Sequence, residues 1–189
     1  MMRSLTHMLV VLPASPQTAI LLGLVLGAMV GVDMGGPINK VAFFFGVASI
    51  AEGNPQIMGI ASTAIAVAPM SMGIASLVDR KKFSKEEQSA GFYTIFMGII
   101  GISEGAIPFA IADPGNVIPS VVLGSAVAGA AAAVAGITSS VPHGGFIIGL
   151  LGATNYVLRF FLCILLGVAV SVILVLFLKG RNRKEKQHK

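Results

Sequence analysis

The sequence predicts an all-α, polytopic integral membrane protein with broken helices and re-entrant hairpins. Three observations predict it. The 189 residues are 55% hydrophobic and 11% charged, with a mean hydropathy of +0.88, whereas an ordinary soluble domain carries about 25% charged residues. A soluble fold of this size could not cover its surface with so few polar groups. Apolar runs approach or reach the roughly 20 residues that cross the hydrocarbon core of a bilayer. Between them stand short polar segments rich in Gly and Pro, which end helices or turn the chain.

The elements follow in order. Residues 1–17 carry Arg3 ahead of Leu9 to Leu12, then Pro13 and Pro16. This faintly resembles a signal peptide, but the apolar stretch is too short; the segment reads as a loop or the remnant of a truncated helix. Residues 18–178 read as one membrane domain and 179–189 as a basic tail. Residues 18–32 are apolar and Gly-rich, and Asp33-Met34-Gly35-Gly36-Pro37-Ile38-Asn39-Lys40 then breaks the helix. Residues 41–50 are too short to span alone. Glu52-Gly53-Asn54-Pro55 is a turn, and 56–78 is long enough for a full span despite Pro69.

A basic loop follows, and Ser84 ahead of Glu86 and Glu87 reads as a helix N-cap with acids in the first turn. Residues 91–102 are apolar up to the break Ser103-Glu104-Gly105-Ala106-Ile107-Pro108, and 109–112 lead to Asp113-Pro114-Gly115-Asn116. Two short apolar arms around a polar tip describe a re-entrant hairpin, which needs protein or a wet cavity around its backbone. One kinked span is the alternative. Residues 117–137 read as a span, with small-x-x-x-small pairs Gly124/Ala128 and Ser125/Gly129 for close packing. Another polar break holds Pro142-His143-Gly144-Gly145. Residues 146–157 are apolar but short, and Arg159 precedes a last span, 160–178.

The net charge of +5 does not point to nucleic acid, because no polar element carries a basic face. Arg80, Lys81 and Lys82 form one cluster, and Lys179, Arg181, Arg183 and Lys184 begin the other. Both follow apolar runs, as cytoplasmic flanks do under the positive-inside rule. The chain between them then crosses an even number of times, which favours a hairpin for the Glu104 segment. Cys163 is the only cysteine, so no intrachain disulfide is expected, and neither a metal site nor a cofactor motif is present.

The polar exceptions carry the chemistry. An ionised carboxylate at membrane depth costs a few kcal/mol at least, so Glu104 should face a cavity or hold a partner. The plainer reading is a loop carboxylate near the surface. His143 could bind hydroxyls, exchange a proton or cap a turn. Asp33, Asn39 and Lys40 could line a polar pocket or flank a turn. Asp113 and Asn116 read as turn or cap residues, and Arg159 as a snorkelling interfacial cation.

The three breaks, DMGGPINK at 33–40, GISEGAIPFAIADP at 101–114 and PHGG at 142–145, together resemble the membrane-embedded IIC component of fructose-specific phosphotransferase-system permeases. The resemblance covers roughly 21–178. It implies a bacterial inner-membrane permease that binds a sugar, usually fructose, and presents it for phosphorylation during uptake. The phosphoryl group would pass from phosphoenolpyruvate through general carriers, IIA and IIB; the donor residue then lies on another component, with Glu104 at most assisting. The resemblance assigns sugar binding to Glu104 and His143, extends it to Asn39 and Asp33, and implies a homodimer. The family's IIC component is nearly twice as long, so 18–178 would be a partial IIC domain, its C-terminal half, from a split subunit, a disrupted frame or a truncated gene model. An ion-coupled small-molecule transporter and a non-functional assembly fragment are the competing readings.

Overall fold

The computed structural model describes residues 16–187, with side chains from 17 to 181. Of the expected N-terminal segment only Pro16 and Gln17 fall within that range; His7 and His188 lie outside it. The described residues are helical, with no strand beyond an isolated bridge between Ser139 and Thr154. In chain order the helices are α1 (Pro16–Asp33), α2 (Pro37–Ala51), α3 (Pro55–Ile65), α4 (Val67–Val78), α5 (Lys85–Ile100), α6 (Ile107–Ala112), α7 (Pro114–Val134), α8 (Phe146–Leu150) and α9 (Val157–Gln187). Short 3-10 turns at Arg80–Lys82 and Ser103–Ala106 complete it. Three stretches are long and apolar enough to cross a membrane: Pro55–Val78, Pro114–Val134 and Val157–Arg181. The chain is an all-α membrane protein.

The centre of the bundle is α3–α4, of which 94% of the most apolar window is buried. Its composition allows this, because Ala, Ser, Gly and Thr let neighbours approach from every side, and close van der Waals packing holds helices together where lipid supplies no hydrophobic drive. Proline breaks it at mid-length. Pro69 has no N–H to give, so the carbonyl of Ile65 loses its helical partner, and the Ser103 hydroxyl lies 3.5 Å from it.

Small residues set the rest of the packing. A Cβ on Gly23 would stand 2.5 Å from the Gly129 carbonyl oxygen, and one on Gly124 would stand 2.6 Å from that of Gly167. Both expected small-residue pairs are therefore used, on two sides of α7: Ser125/Gly129 against α1, and Gly124/Ala128 against α9. The matching stripe on α1, Gly23, Gly27 and Gly31, repeats every four residues and was legible as a Gly-x-x-x-Gly pattern that the sequence reading passed over.

Helix ends depart from expectation in three places. The span expected at 117–137 is α7, starting three residues earlier, because Pro114 is well suited to a first helical position. Arg159 lies inside α9 rather than ahead of it. The apolar 146–157 run is helical only to Leu150, since Gly152 (φ +69°) and Tyr156 (φ +38°) turn the chain out of helical geometry.

Two hairpins enter the bundle from opposite ends. α1 runs antiparallel to α7, and α2 returns, with its tip at Met34 to Gly36. The second comprises 85–113. Lys179 Nζ lies 3.5 Å from Glu87 Oε1 and 3.3 Å from Asp113 Oδ2, so both feet of this hairpin sit at the same end, here called the Lys179 end. The segment leaves and returns without passing through, as the hairpin reading expected. Lys179 is itself 7% exposed: the first residue of the expected tail is folded back into the bundle.

Ser84 begins α5 as expected. Its hydroxyl accepts the Glu87 N–H at 3.2 Å while Glu87 Oε2 accepts the Ser84 N–H at 2.6 Å, a reciprocal capping box. Glu86 beside it is held below the usual carboxylate range, first by its own backbone N–H and then by Ser84. Ser84→Ala should lower stability by about 1 kcal/mol, measured as an earlier thermal unfolding transition in detergent.

Candidate functional site

The three sequence breaks meet in space, and glycine is the reason they can. Gly35 sits at φ +107°, a conformation that side chains resist. A Cβ there would also stand 2.6 Å from Cδ of Glu104 and 2.7 Å from its Oε1. The tip of the first hairpin is therefore seated directly on the Glu104 carboxylate. Met34 beside it is also left-handed, at φ +49°, which is uncommon for a bulky residue and costs about 1–2 kcal/mol. Its side chain is buried in a cluster that includes Met72, Ala106 and Phe109, so the first hairpin is anchored into the returning arm of the second.

Glu104 is exposed between buried neighbours Ser103 and Gly105. The Gly105 carbonyl accepts from the Thr94 hydroxyl at 3.3 Å. Among the described residues the Glu104 carboxylate has no hydrogen-bond or ion-pair partner, which leaves its lone pairs free. At the tip of the second hairpin, Gly101 (φ +85°) ends α5 in a left-handed C-cap. A Cβ on it would overlap the Gly144 carbonyl and stand 3.1 Å from His143 Nε2.

His143 is held from three sides. Nε2 lies 2.8 Å from the Ile100 carbonyl oxygen, and a carbonyl only accepts, so Nε2 carries a proton, and in the neutral imidazole Nδ1 is an acceptor. The His143 carbonyl accepts from the Ser62 hydroxyl at 2.5 Å, and its N–H donates to the Val141 carbonyl at 2.9 Å. His143 thus adjoins the start of the tip, at Ile100 and Gly101, and Glu104 lies three residues further along it. No hydrogen bond joins them.

The comparisons with known proteins bear on this arrangement. The chain is 39% identical over 165 residues to the fructose-like permease IIC component 2 of Escherichia coli, covering 87% of this chain and 45% of that protein. It is 44% identical over 161 residues to the fructose-specific EIIC component of Haloferax volcanii, covering 85% and 42%. It is 40% identical over 156 residues to the fructose-specific EIIABC component of Bacillus subtilis, covering 82% and 24%. Over most of its own length the chain is thus similar to fructose-type permease IIC components. It corresponds to the C-terminal part of such proteins and spans less than half the length of these three relatives. No protein-family model matches it, and no solved structure does.

Within this segment the other sequence candidates hold the site's shape. Asp33 Oδ2 accepts the Ile38 N–H at 2.7 Å and Oδ1 the Asn39 N–H at 3.0 Å, which satisfies donors at the start of α2. Asn39 donates through Nδ2 to the Val30 carbonyl at 3.0 Å and ties α2 to α1. Asp113 accepts from Asn116 Nδ2 at 2.9 Å through both oxygens, the turn role expected of the pair, and adds the contact to Lys179. Sequence reasoning missed Met34 and the Lys179 clamp. An apolar run followed by lysine has the same pattern whether that lysine is solvated or folded inward, so no signal for the clamp was present.

Proposed function

We propose that this IIC segment holds a fructose-like sugar where the two hairpins meet and passes it across the membrane in step with its phosphorylation by a IIB component. The observation that carries the reading is the unpartnered Glu104 carboxylate seated against Gly35. A carboxylate offers strong, oriented acceptors to sugar hydroxyls. Nδ1 of His143 adds an acceptor at the start of the tip, and Asp33 and Asn39 complete the site by shaping the loop that carries Gly35. A hydroxyl bonded to Glu104 is also a better nucleophile toward a phosphoryl group. The phosphoryl donor belongs to another component.

The relatives' names support both sugar and partners. They are fructose-type permease components, and the Bacillus subtilis protein joins IIA, IIB and IIC in one chain. Multi-pass insertion in the plasma membrane, with the Lys179 end and the Arg80 loop cytoplasmic, follows from the positive-inside rule. The exposed apolar side chains of α1 and α2, among them Leu21, Val25, Val41 and Phe44, would face lipid, the leading helices of a longer IIC protein and a second copy.

The test is labelled-fructose uptake in membranes carrying the chain with IIA, IIB and the general carriers. Strict dependence on phosphoenolpyruvate is the expected result. Uptake driven only by an ion gradient would defeat the reading in favour of an ion-coupled transporter, and no uptake would favour an assembly fragment.

A further inference from the structure

We propose that the groove between α1, α7 and α9, at the end remote from Lys179, binds an anionic phospholipid, its phosphate on Arg159 and the upper part of an acyl chain in the groove. The groove has a volume of about 560 Å³. Ile20 and Leu24 line one side, Val127 and Ala131 the floor, and Leu166 and Arg159 the other side.

Its polarity is graded in the direction a lipid needs. Arg159 and Ile20 lie near the outer end of their helices, and Leu166 and Leu24 lie deeper. Arg159 and Leu166 are seven residues apart on one helix, about 10 Å along its axis. Charge stands at the rim and only apolar surface below it.

The rim is built rather than incidental. Arg159 forms no ion pair with a carboxylate among the described residues; its guanidinium lies over the Tyr156 ring, 4.7 Å from the centroid. Tyr156 holds that ring from a left-handed backbone, φ +38°, an uncommon conformation for a bulky residue and a mark of local constraint. Asn155 fixes the loop beneath: its Oδ1 accepts the Thr138 N–H at 2.8 Å and its Nδ2 donates to the Gly136 carbonyl at 2.8 Å. The Thr154 hydroxyl donates to the Thr138 carbonyl at 2.8 Å. The end of α7 and the start of α9 are thereby stapled together, which sets the groove's width. The first-turn N–H groups of α9 add positive potential where the phosphate would sit. Tyr and Arg are also the side chains that favour the membrane interface.

The experiment is native mass spectrometry of the whole chain released from mild detergent, after incubation with phosphatidylglycerol, phosphatidylcholine or inorganic phosphate alone. Phosphatidylglycerol should be retained about tenfold more strongly than phosphatidylcholine, whose choline cation offsets the phosphate charge that Arg159 would hold. Inorganic phosphate alone should not be retained. Arg159→Gln should remove the preference, lowering phosphatidylglycerol retention more than that of phosphatidylcholine, and Arg159→Lys should keep part of it. Ala131→Leu, which fills the floor, should weaken both lipids, with helicity by circular dichroism as the folding control. Equal retention of the two lipids, a preference that survives Arg159→Gln, or a dimer free of lipid because a second copy fills the groove would each overturn the proposal.

Discussion

Lys179→Met should destabilise the protein by about 3–5 kcal/mol, the range seen when one partner of a buried ion pair is removed. Lys179 and Glu87 are 7% and 8% exposed, and Asp113 is 29% exposed. Lys179 Nζ also stands 4.4 Å from the centre of the Phe83 ring, so methionine keeps most of the packing and removes only the charge. What remains is a buried Glu87 with Oε2 on the Ser84 N–H and Oε1 without its ion-pair partner. The loss should therefore be largely reversed by Glu87→Gln in the same chain, since glutamine can still complete the capping box. Thermal unfolding of the single and double variants checks both statements. The clamp joins both feet of the hairpin that carries Glu104, so the single variant should also loosen the site before the bundle melts.

The second large effect falls on binding. Glu104→Gln keeps the size and shape that fit against Gly35 but removes the charge. Hydrogen bonds to a charged group contribute about 1.5–3 kcal/mol, so fructose binding should weaken by roughly ten- to a hundredfold. No ion pair is broken, because Glu104 has none among the described residues, and the unfolding temperature should stay close to that of the wild type. Separating a binding loss from a folding loss is what distinguishes a ligand carboxylate from a structural one. Glu104→Asp, one methylene shorter, should lose both reach and the contact with Gly35, and should bind no better than the glutamine variant.

Much of the fold was legible because it depends on local chemistry. Runs of apolar residues give helices, Pro37, Pro55 and Pro114 start them, and Ser84 with Glu87 makes a capping box that spacing alone reveals. Charge parity favoured a hairpin for the Glu104 segment, 91–112, and the ion pairs of Lys179 place the feet of the observed hairpin together. Other features depend on which residues meet across the bundle. The backbone turn at Tyr156 that shortens the expected 146–157 run has no sequence signal, since tyrosine ordinarily avoids it. Lys179 was read as the first residue of a basic cytoplasmic tail because nothing local distinguishes an inward lysine from an outward one. The site divides similarly. Glu104 and His143 stand out as polar groups in apolar surroundings, and both lie at the junction. Asp33 and Asn39 look the same in sequence, yet their bonds to backbone groups show what holds the loop in place, and only the three-dimensional contact identifies Gly35 as the surface on which Glu104 rests.

Equilibrium binding of labelled fructose to the chain in lipid nanodiscs, wild type beside Glu104→Gln at matched helicity, tests this account most directly. Saturable binding by the wild type that weakens at least tenfold in the variant is the predicted result. Equal affinity in the two proteins, or no binding by the wild type, would contradict it.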